Sequence, residues 1–509
     1  MTQSLPPGGD TAREAPEGLT RIVVRGVGLA GSGYLLTQLL TVIAYLVLAR
    51  LITPTEMGQF AAGSLVMIAA LFAESGMLAA LIQRPDRIEE AAATAVLATL
   101  AAGVAFSLAA LAASPLIGLF FDSRDIGLVA AALSPWILVR QAAVVPEALL
   151  QRRFSFLRRL VAEPASVVAF GVTAIVAAAA GLGVWALVAG SYAAVVTQAV
   201  SAWVLARWWP DLRLASFALW RELVSYGKHV TGAGLVRVAT SESGTVFVGR
   251  FLGAATLGQF QYMYRIAQRP LAALVSSVTY VLFPAFARIA EDPARFERGF
   301  MRTVRWLSVV AFPASFILLP LGEPAVVLLF GERWAEAGEA LTWMFGYTVG
   351  WAFVSLAEHV AKAVGRPEVV LRLDVAALVV TVAAVAALVE FGLTWVAVAL
   401  SASSIVASGY AILWIVRLTG IPLRQLLREI WPAALAAACM ACALYALDRL
   451  LLDAGQRSPG VGLALIALEV VLGAILYVAV LAALAPRTAG EFVGRFLSGA
   501  GRPLSGHRR

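Results

Sequence analysis

Long apolar blocks alternate with short polar connections along almost the whole chain, as in AAATAVLATLAAGVAFSLAALAA (91–113) and AALVVTVAAVAALV (376–389). About 20 mainly apolar residues cross the roughly 30 Å of hydrocarbon in a bilayer. Backbone polar groups inside hydrocarbon must be satisfied within their own segment, so blocks of this length are helices. The pattern predicts fourteen spans: 27–49, 57–82, 91–113, 126–148, 160–181, 184–206, 229–249, 257–285, 303–321, 338–361, 372–391, 393–416, 431–451 and 461–485. The expected class is therefore an all-α polytopic membrane protein.

Composition agrees, with 61% hydrophobic and 14% charged residues, against about half and a quarter in soluble domains. The net charge of +8 brings nucleic acid to mind, but the basic residues are scattered over short loops. They are distributed unevenly between the two sides: alternate connections carry 29 Lys and Arg on the side of the termini and 6 on the other. The positive-inside bias explains this asymmetry and predicts that both termini are cytoplasmic. The first 20 residues are polar and rich in Pro and Gly, without the apolar core of a signal peptide, and read as a disordered tail. A basic tail is expected over 487–509. Cys439 and Cys442 lie at i,i+3 within an apolar block and read as small packing residues.

Part of the chain repeats itself. LARLITPTEMGQF (48–60) returns as VGRFLGAATLGQF (248–260), SPLIGLFFDSR (114–124) as EPAVVLLFGER (323–333), and VWALVAGS (184–191) as TWVAVALS (394–401). The three matches keep one order at nearly one offset. Six spans, an even number, separate the copies, so both halves face the same way and form a parallel repeat about an axis along the membrane normal. The expected organisation is an N-lobe over 21–207, a linker over 208–228, a C-lobe over 229–418 and an appended pair of spans over 419–486. Within the linker, Leu214, Phe217, Trp220 and Val224 share one apolar face at helical spacing, which predicts a helix lying on the cytoplasmic surface. Paired lobes of this kind suit alternating access, with the substrate near the midplane between them.

The wording of the repeats narrows this further. LARLITPTEMGQFAAGSLVMIAALFAESGMLAALIQRPD (48–86), VGRFLGAATLGQFQYMYRIAQRP (248–270) and VLFPAFARIAEDPARFERGF (281–300) resemble bacterial polysaccharide and lipopolysaccharide flippases of the Wzx type. These belong to the multidrug/oligosaccharidyl-lipid/polysaccharide (MOP) superfamily. The resemblance covers about 25–430 and implies a cavity between the lobes that passes a polyprenyl-pyrophosphate-linked oligosaccharide across the bacterial cytoplasmic membrane. It also makes coupling to a proton or sodium gradient plausible, with no other cofactor. AESG at 73–76 departs from the Asp-Leu-Gly common in that family, which leaves the role of Glu74 open.

Four arginines fall well inside predicted spans: Arg140, Arg237, Arg265 and Arg269. A lipid-facing arginine costs at least about 2.5–3.5 kcal/mol, so such residues face protein or a wet cavity. Gln261, Tyr262, Arg265, Gln268 and Arg269 form one polar stripe on span 8, and Arg237, Thr240, Ser241 and Gly244 a narrower one on span 7. Beside the flippase resemblance, these arginines are candidates for gripping a pyrophosphate, since the planar guanidinium fork stays charged and matches phosphate oxygens. The competing reading is structural, with the arginines paired to carboxylates such as Glu242, Glu147 or Glu163. Glu242, five residues past Arg237, is poorly spaced for an in-helix pair and is a candidate for coupling, as is Glu74. His359 is either proton-sensitive or one member of a helix-end cluster with Glu358 and Lys362.

The chain lacks a Walker A motif, and its histidines, His229, His359 and His507, are too far apart for a metal spacing. Gly26, Gly28 and Gly31 open a membrane span instead of following a strand, so they read as small packing residues. The runner-up function is a multidrug or cation exporter of the same superfamily, which would favour an acidic, aromatic cavity. A membrane glycosyltransferase would bring a sizeable outer loop, and a scaffold would not need buried arginines. The sequence leaves open whether the protein works alone or beside a polysaccharide polymerase or chain-length regulator.

Overall fold

The computed structural model describes residues 33, 36–84, 86–152, 161–268, 286 and 292–491. Both expected tails in large part, the basic stretch 153–160, the second half of span 8 and Arg269 lie outside them. All regular structure among the described residues is helical. In chain order the helices are α1 (Leu36–Leu51), α2 (Pro54–Gly63), α3 (Ala69–Gln83), α4 (Ile88–Phe120), α5 (Arg124–Leu133), α6 (Trp136–Arg152), α7 (Glu163–Ala179), α8 (Val184–Ala206) and α9 (Phe217–Phe251). They continue with α10 (described over 253–268), α11 (Pro293–Phe316), α12 (Leu318–Phe330), α13 (Ala335–Thr342), α14 (Phe345–Ala363), α15 (Pro367–Leu388), α16 (Leu393–Thr419), α17 (Leu423–Leu447) and α18 (Pro459–Leu484).

Eight of these segments are long and apolar enough to cross a bilayer, and ten if each bent pair counts as one span. Of the other four predicted spans, two are the shorter apolar helices α1 and α7. One is the second half of α9, and one is α10. The chain is thus a multi-pass helical membrane protein.

Prolines inside the spans expose how the bundle satisfies its backbone. A helical proline leaves the carbonyl four residues earlier without a donor, which hydrocarbon does not forgive. For Pro115 that carbonyl is Leu111 O, and the Ser114 hydroxyl donates to it at 2.8 Å. For Pro146 it is Ala142 O, which accepts from Trp203 Nε1 at 3.0 Å. For Pro313 it is Val309 O, which accepts from the Tyr477 hydroxyl at 3.0 Å. The last donor comes from α18, so the appended pair completes the backbone of the C-lobe.

The repeat is not copied perfectly. In the N-lobe the motif 114–124 continues α4 to Phe120 without a break. In the C-lobe its partner is α12, turned 51° from α11, and the following pair α13/α14 is bent by 55°. The side chain of Leu328 on α12 lies against Gly462 of α18, so the appended pair packs against the turned helix.

The linker also differs from a separate surface helix. It is continuous with span 7 as the 35-residue α9. Leu214, Phe217, Trp220 and Val224 stay exposed, while Leu219 and Leu223 are buried, Leu223 among Met77, Leu81, Val145 and Leu149 of the N-lobe. One helix therefore docks on one lobe and then enters the other.

Candidate functional site

The two repeats meet. At the end of the bundle carrying residues 50–58 and 250–258, a Cβ on Gly58 would collide with the carbonyl of Ala254, and a Cβ on Gly258 with that of Pro54. Glycine is required at both positions because the opposite backbone occupies the space. Around this contact Arg50 Nη2 donates to Leu328 O and Leu329 O at 3.3 and 3.2 Å, and Trp334 Nε1 to Ala49 O at 2.8 Å. Arg250, the repeat partner of Arg50, sits over the Phe120 ring at 5.9 Å. One apolar core crosses between the lobes here, joining Leu48, Ile52 and Val129 to Leu257, Phe330 and Trp334. At the opposite end, the basic end, two separate cores fill the lobes among the described residues. Among the described residues, the lobes share one core at the repeat end and have separate cores at the basic end.

Just inside the repeat end, Arg265 of α10 reaches across to α1. Its guanidinium donates to the Tyr45 hydroxyl and lies 4.7 Å from the Tyr45 ring centre. The rest of the predicted stripe divides. Tyr262 is 2% exposed, wedged against Phe330 and Trp334, and donates to Tyr45 O at 3.3 Å. Gln261 is buried and donates to Thr245 Oγ1 at 3.1 Å, while Thr245 donates to Glu242 Oε2 at 2.9 Å. Gln268 bonds Tyr347, whose hydroxyl also meets that of Tyr264 at 2.8 Å. Of the stripe's described members, only Arg265 spans the lobe boundary as a charge; the others hold α10 in place.

Arg237 stands apart on α9. Its side chain is 58% exposed, with Asp374 Oδ2 at 3.5 Å and Glu358 Oε2 at 3.7 Å. Glu358 also lies 3.8 Å from Lys362, and His359 Nδ1 donates to Ser355 O at 2.7 Å. Thr240 and Ser241 donate to carbonyls of their own helix. Asp374 escaped the sequence reading, although a lone carboxylate in the run LRLDVAALVV was the available signal.

Arg140 is enclosed. It pairs with Glu74, Nε to Oε2 at 3.1 Å, and with Glu147, Nη1 to Oε1 at 2.9 Å. Gln198 Nε2 adds a bond to Glu147 at 2.8 Å, and Glu147 is 1% exposed. Glu74, a coupling candidate by sequence, is therefore engaged by an arginine, and Arg140 has its charge answered twice over.

The sequence pattern of the polysaccharide biosynthesis protein family matches residues 47–339. The chain belongs to this family. Members similar to it include the succinoglycan biosynthesis transport protein ExoT of Rhizobium meliloti, 26% identical over 300 residues, 58% of this chain and 60% of that protein. The lipopolysaccharide biosynthesis protein WzxC of Escherichia coli is 25% identical over 303 residues, 57% of this chain and 59% of that protein. The chain thus matches about three fifths of the length of these relatives. Among solved structures, the lipid II flippase MurJ in an inward-closed conformation covers 92% of this chain and 99% of its own, with TM-score 0.74 and 12% identity. An inward-facing multidrug transporter of the MATE family covers 78% of this chain and 94% of its own, at TM-score 0.55 and 18% identity. These likenesses give this family member the fold of the MOP superfamily.

Proposed function

We propose that the protein is an alternating-access flippase. It carries a polyprenyl-pyrophosphate-linked oligosaccharide from the cytoplasmic to the outer leaflet of a bacterial cytoplasmic membrane, for assembly of a polysaccharide such as an O-antigen, capsule or exopolysaccharide. The basic end and both termini face the cytoplasm, and the repeat end faces out. Family membership and the polysaccharide and lipopolysaccharide biosynthesis roles of its relatives support the substrate class. The observation that carries the reading is Arg265, a membrane-embedded guanidinium bridging the lobes directly beneath the repeat end.

The physical logic is an exchange of partners. A pyrophosphate entering between the lobes offers Arg265 charge-assisted bonds stronger than its neutral bond to Tyr45. Arg237 lies exposed on α9 of the same lobe, held by two carboxylates that phosphate oxygens can displace, and Arg269 is one residue past the described part of α10. Drawing Arg265 away from Tyr45 loosens the contact beneath the Gly58/Gly258 seal, which links substrate binding to opening of the outer side. Glu242, to which only the Thr245 hydroxyl donates among the described residues, is a carboxylate available for ion coupling.

Native mass spectrometry of the gently purified protein, beside Arg265→Ala/Arg269→Ala, tests this. A bound mass matching a polyprenyl-pyrophosphate sugar, lost in the double variant, is expected. Retention in the variant moves the site elsewhere. Binding of small organic cations in place of such a lipid makes the protein an exporter.

A further inference from the structure

Between α1 and α7 of the N-lobe lies a cavity of about 380 Å³ whose wall includes Thr37, Thr41, Tyr45, Glu163, Ser166 and Phe170. Gln38 also lines it, and beside the Gln38 amide and the Tyr45 hydroxyl, which carry donors, the remaining polar groups are acceptors. Thr37 donates its hydroxyl proton to Gly33 O at 2.9 Å, Thr41 to Thr37 O at 2.7 Å and Ser166 to Glu163 O at 2.8 Å. A hydroxyl has one proton and two lone pairs, so each of the three has only lone pairs left for a ligand. The half-buried Glu163 carboxylate has no hydrogen-bond or ion-pair partner among the described residues, and when ionised it too only accepts. Such a wall favours a hydroxyl-bearing ligand, which both donates and accepts, over a phosphate, which only accepts.

Two aromatic rings complete it. Tyr45 and Phe170 stand 6.1 Å apart, tilted by 38°. Their electron-rich faces attract positively polarised hydrogens, including the C–H groups of a sugar ring. Tyr45 also joins the cavity to the arginine site, because Arg265 lies over its ring and donates to its hydroxyl. A guanidinium at Tyr45 and, in the cavity that Tyr45 also lines, a wall rich in acceptors match a pyrophosphate–sugar junction, anionic at one end and hydroxyl-bearing at the next. The volume sits at the low end of ligand pockets, roughly 300–1,000 Å³, which suits the sugar nearest the pyrophosphate and leaves the outer sugars between the lobes.

We propose that this cavity is a sugar subsite, with Glu163 and Ser166 reading the hydroxyls of the first hexose. This rests on the flippase reading, and the experiment separates the two. Binding is measured in nanodiscs for bare undecaprenyl pyrophosphate and for the same lipid bearing one glucose, galactose or N-acetylglucosamine. The wild type is expected to prefer at least one glycosylated lipid by about tenfold or more, since buried acceptors left unpaired penalise the ligand without hydroxyls. Glu163→Gln and the near-isosteric Thr41→Val are expected to erase that preference while leaving bare-lipid binding unchanged. Arg265→Ala is expected to weaken all the lipids alike.

Equal wild-type affinity for bare and all glycosylated lipids overturns the subsite and leaves the flippase standing. Absence of binding to every lipid overturns the flippase reading itself. If Glu163→Gln instead changes the sodium or pH dependence of binding equally for all lipids, Glu163 is a coupling site and the proposal falls.

Discussion

Arg140 and Arg237 are two arginines inside the bundle that the protein treats in opposite ways. Arg140 of the N-lobe is 12% exposed at its side chain and held by Glu74 and Glu147, the latter braced by Gln198. Arg237 of the C-lobe is 58% exposed, with its carboxylates at the long end of ion-pair distance. The same insertion cost has been met by enclosure in one lobe and by exposure to open space in the other. A charge that is fully answered serves the fold, and one that is half answered stays available to a ligand.

The largest effect follows from breaking the enclosed cluster. Arg140→Ala leaves two carboxylates facing each other in a buried site, and losing one partner of a buried pair costs about 3–5 kcal/mol. A clear fall in the thermal unfolding midpoint in detergent is expected, and partial recovery when Glu147→Gln is added. If Arg140→Ala unfolds at the wild-type temperature yet abolishes transport, the comparison is wrong and Arg140 belongs to the substrate site.

Arg237→Gln sharpens the same contrast from the other side. Its guanidinium is exposed while Glu358 and Asp374 are buried, so the stability loss should be smaller than for Arg140→Ala but above the roughly 1 kcal/mol of a fully exposed pair. Transport of the lipid-linked substrate in proteoliposomes should fall more sharply than stability, because an exposed guanidinium inside the bundle is lost. A variant that transports normally would assign Arg237 to the surface.

How much of this could be read in advance differs by level. The spans follow from apolar length alone, and the two lobes from repeated wording, since both depend on local sequence. The 51° turn between α11 and α12 was hidden, because a proline occurs both in the unbroken α4, as Pro115, and near the turn in α11, as Pro313, although the two are not repeat counterparts. What differs is the donor: Ser114 lies one position away in sequence, while Tyr477 arrives from a distant helix. The same limit applied to the arginines. Glu147, seven residues from Arg140 on the same helical face, was among the carboxylates proposed to pair with an arginine. Glu74 and Asp374, on other helices, could not be assigned from spacing. Gln261 and Tyr262 read as members of a polar stripe because a helix period gives direction without saying what stands opposite. Opposite Tyr262 stand Phe330 and Trp334. The glycines of the GQF repeat were visible as a repeat, but their reason, Gly58 against the backbone of Ala254 and Gly258 against that of Pro54, needed the folded chain.

A buried carboxyl marks the far end of the comparison. Glu469 on α18 is fully buried, and neither carboxyl oxygen has a hydrogen-bond partner among the described residues. Asp448 is also buried nearby, but its Oδ1 is occupied by the amide of Ala454 at 3.0 Å. Where Arg140 is answered twice and Arg237 in part, Glu469 is not answered by a donor. Leaving a polar group without a bond costs about 1–3 kcal/mol, and an apolar replacement of similar shape recovers part of it. Glu469→Leu should therefore raise the thermal midpoint by a small margin, equivalent to about 1 kcal/mol, the smallest of the three effects and the only one stabilising. Wild-type transport in the stabilised variant would place Glu469 outside the transport cycle. Transport lost despite a raised midpoint would mean that the unpartnered acid is kept for function, and that in this bundle an unanswered charge signals use even outside the space between the lobes.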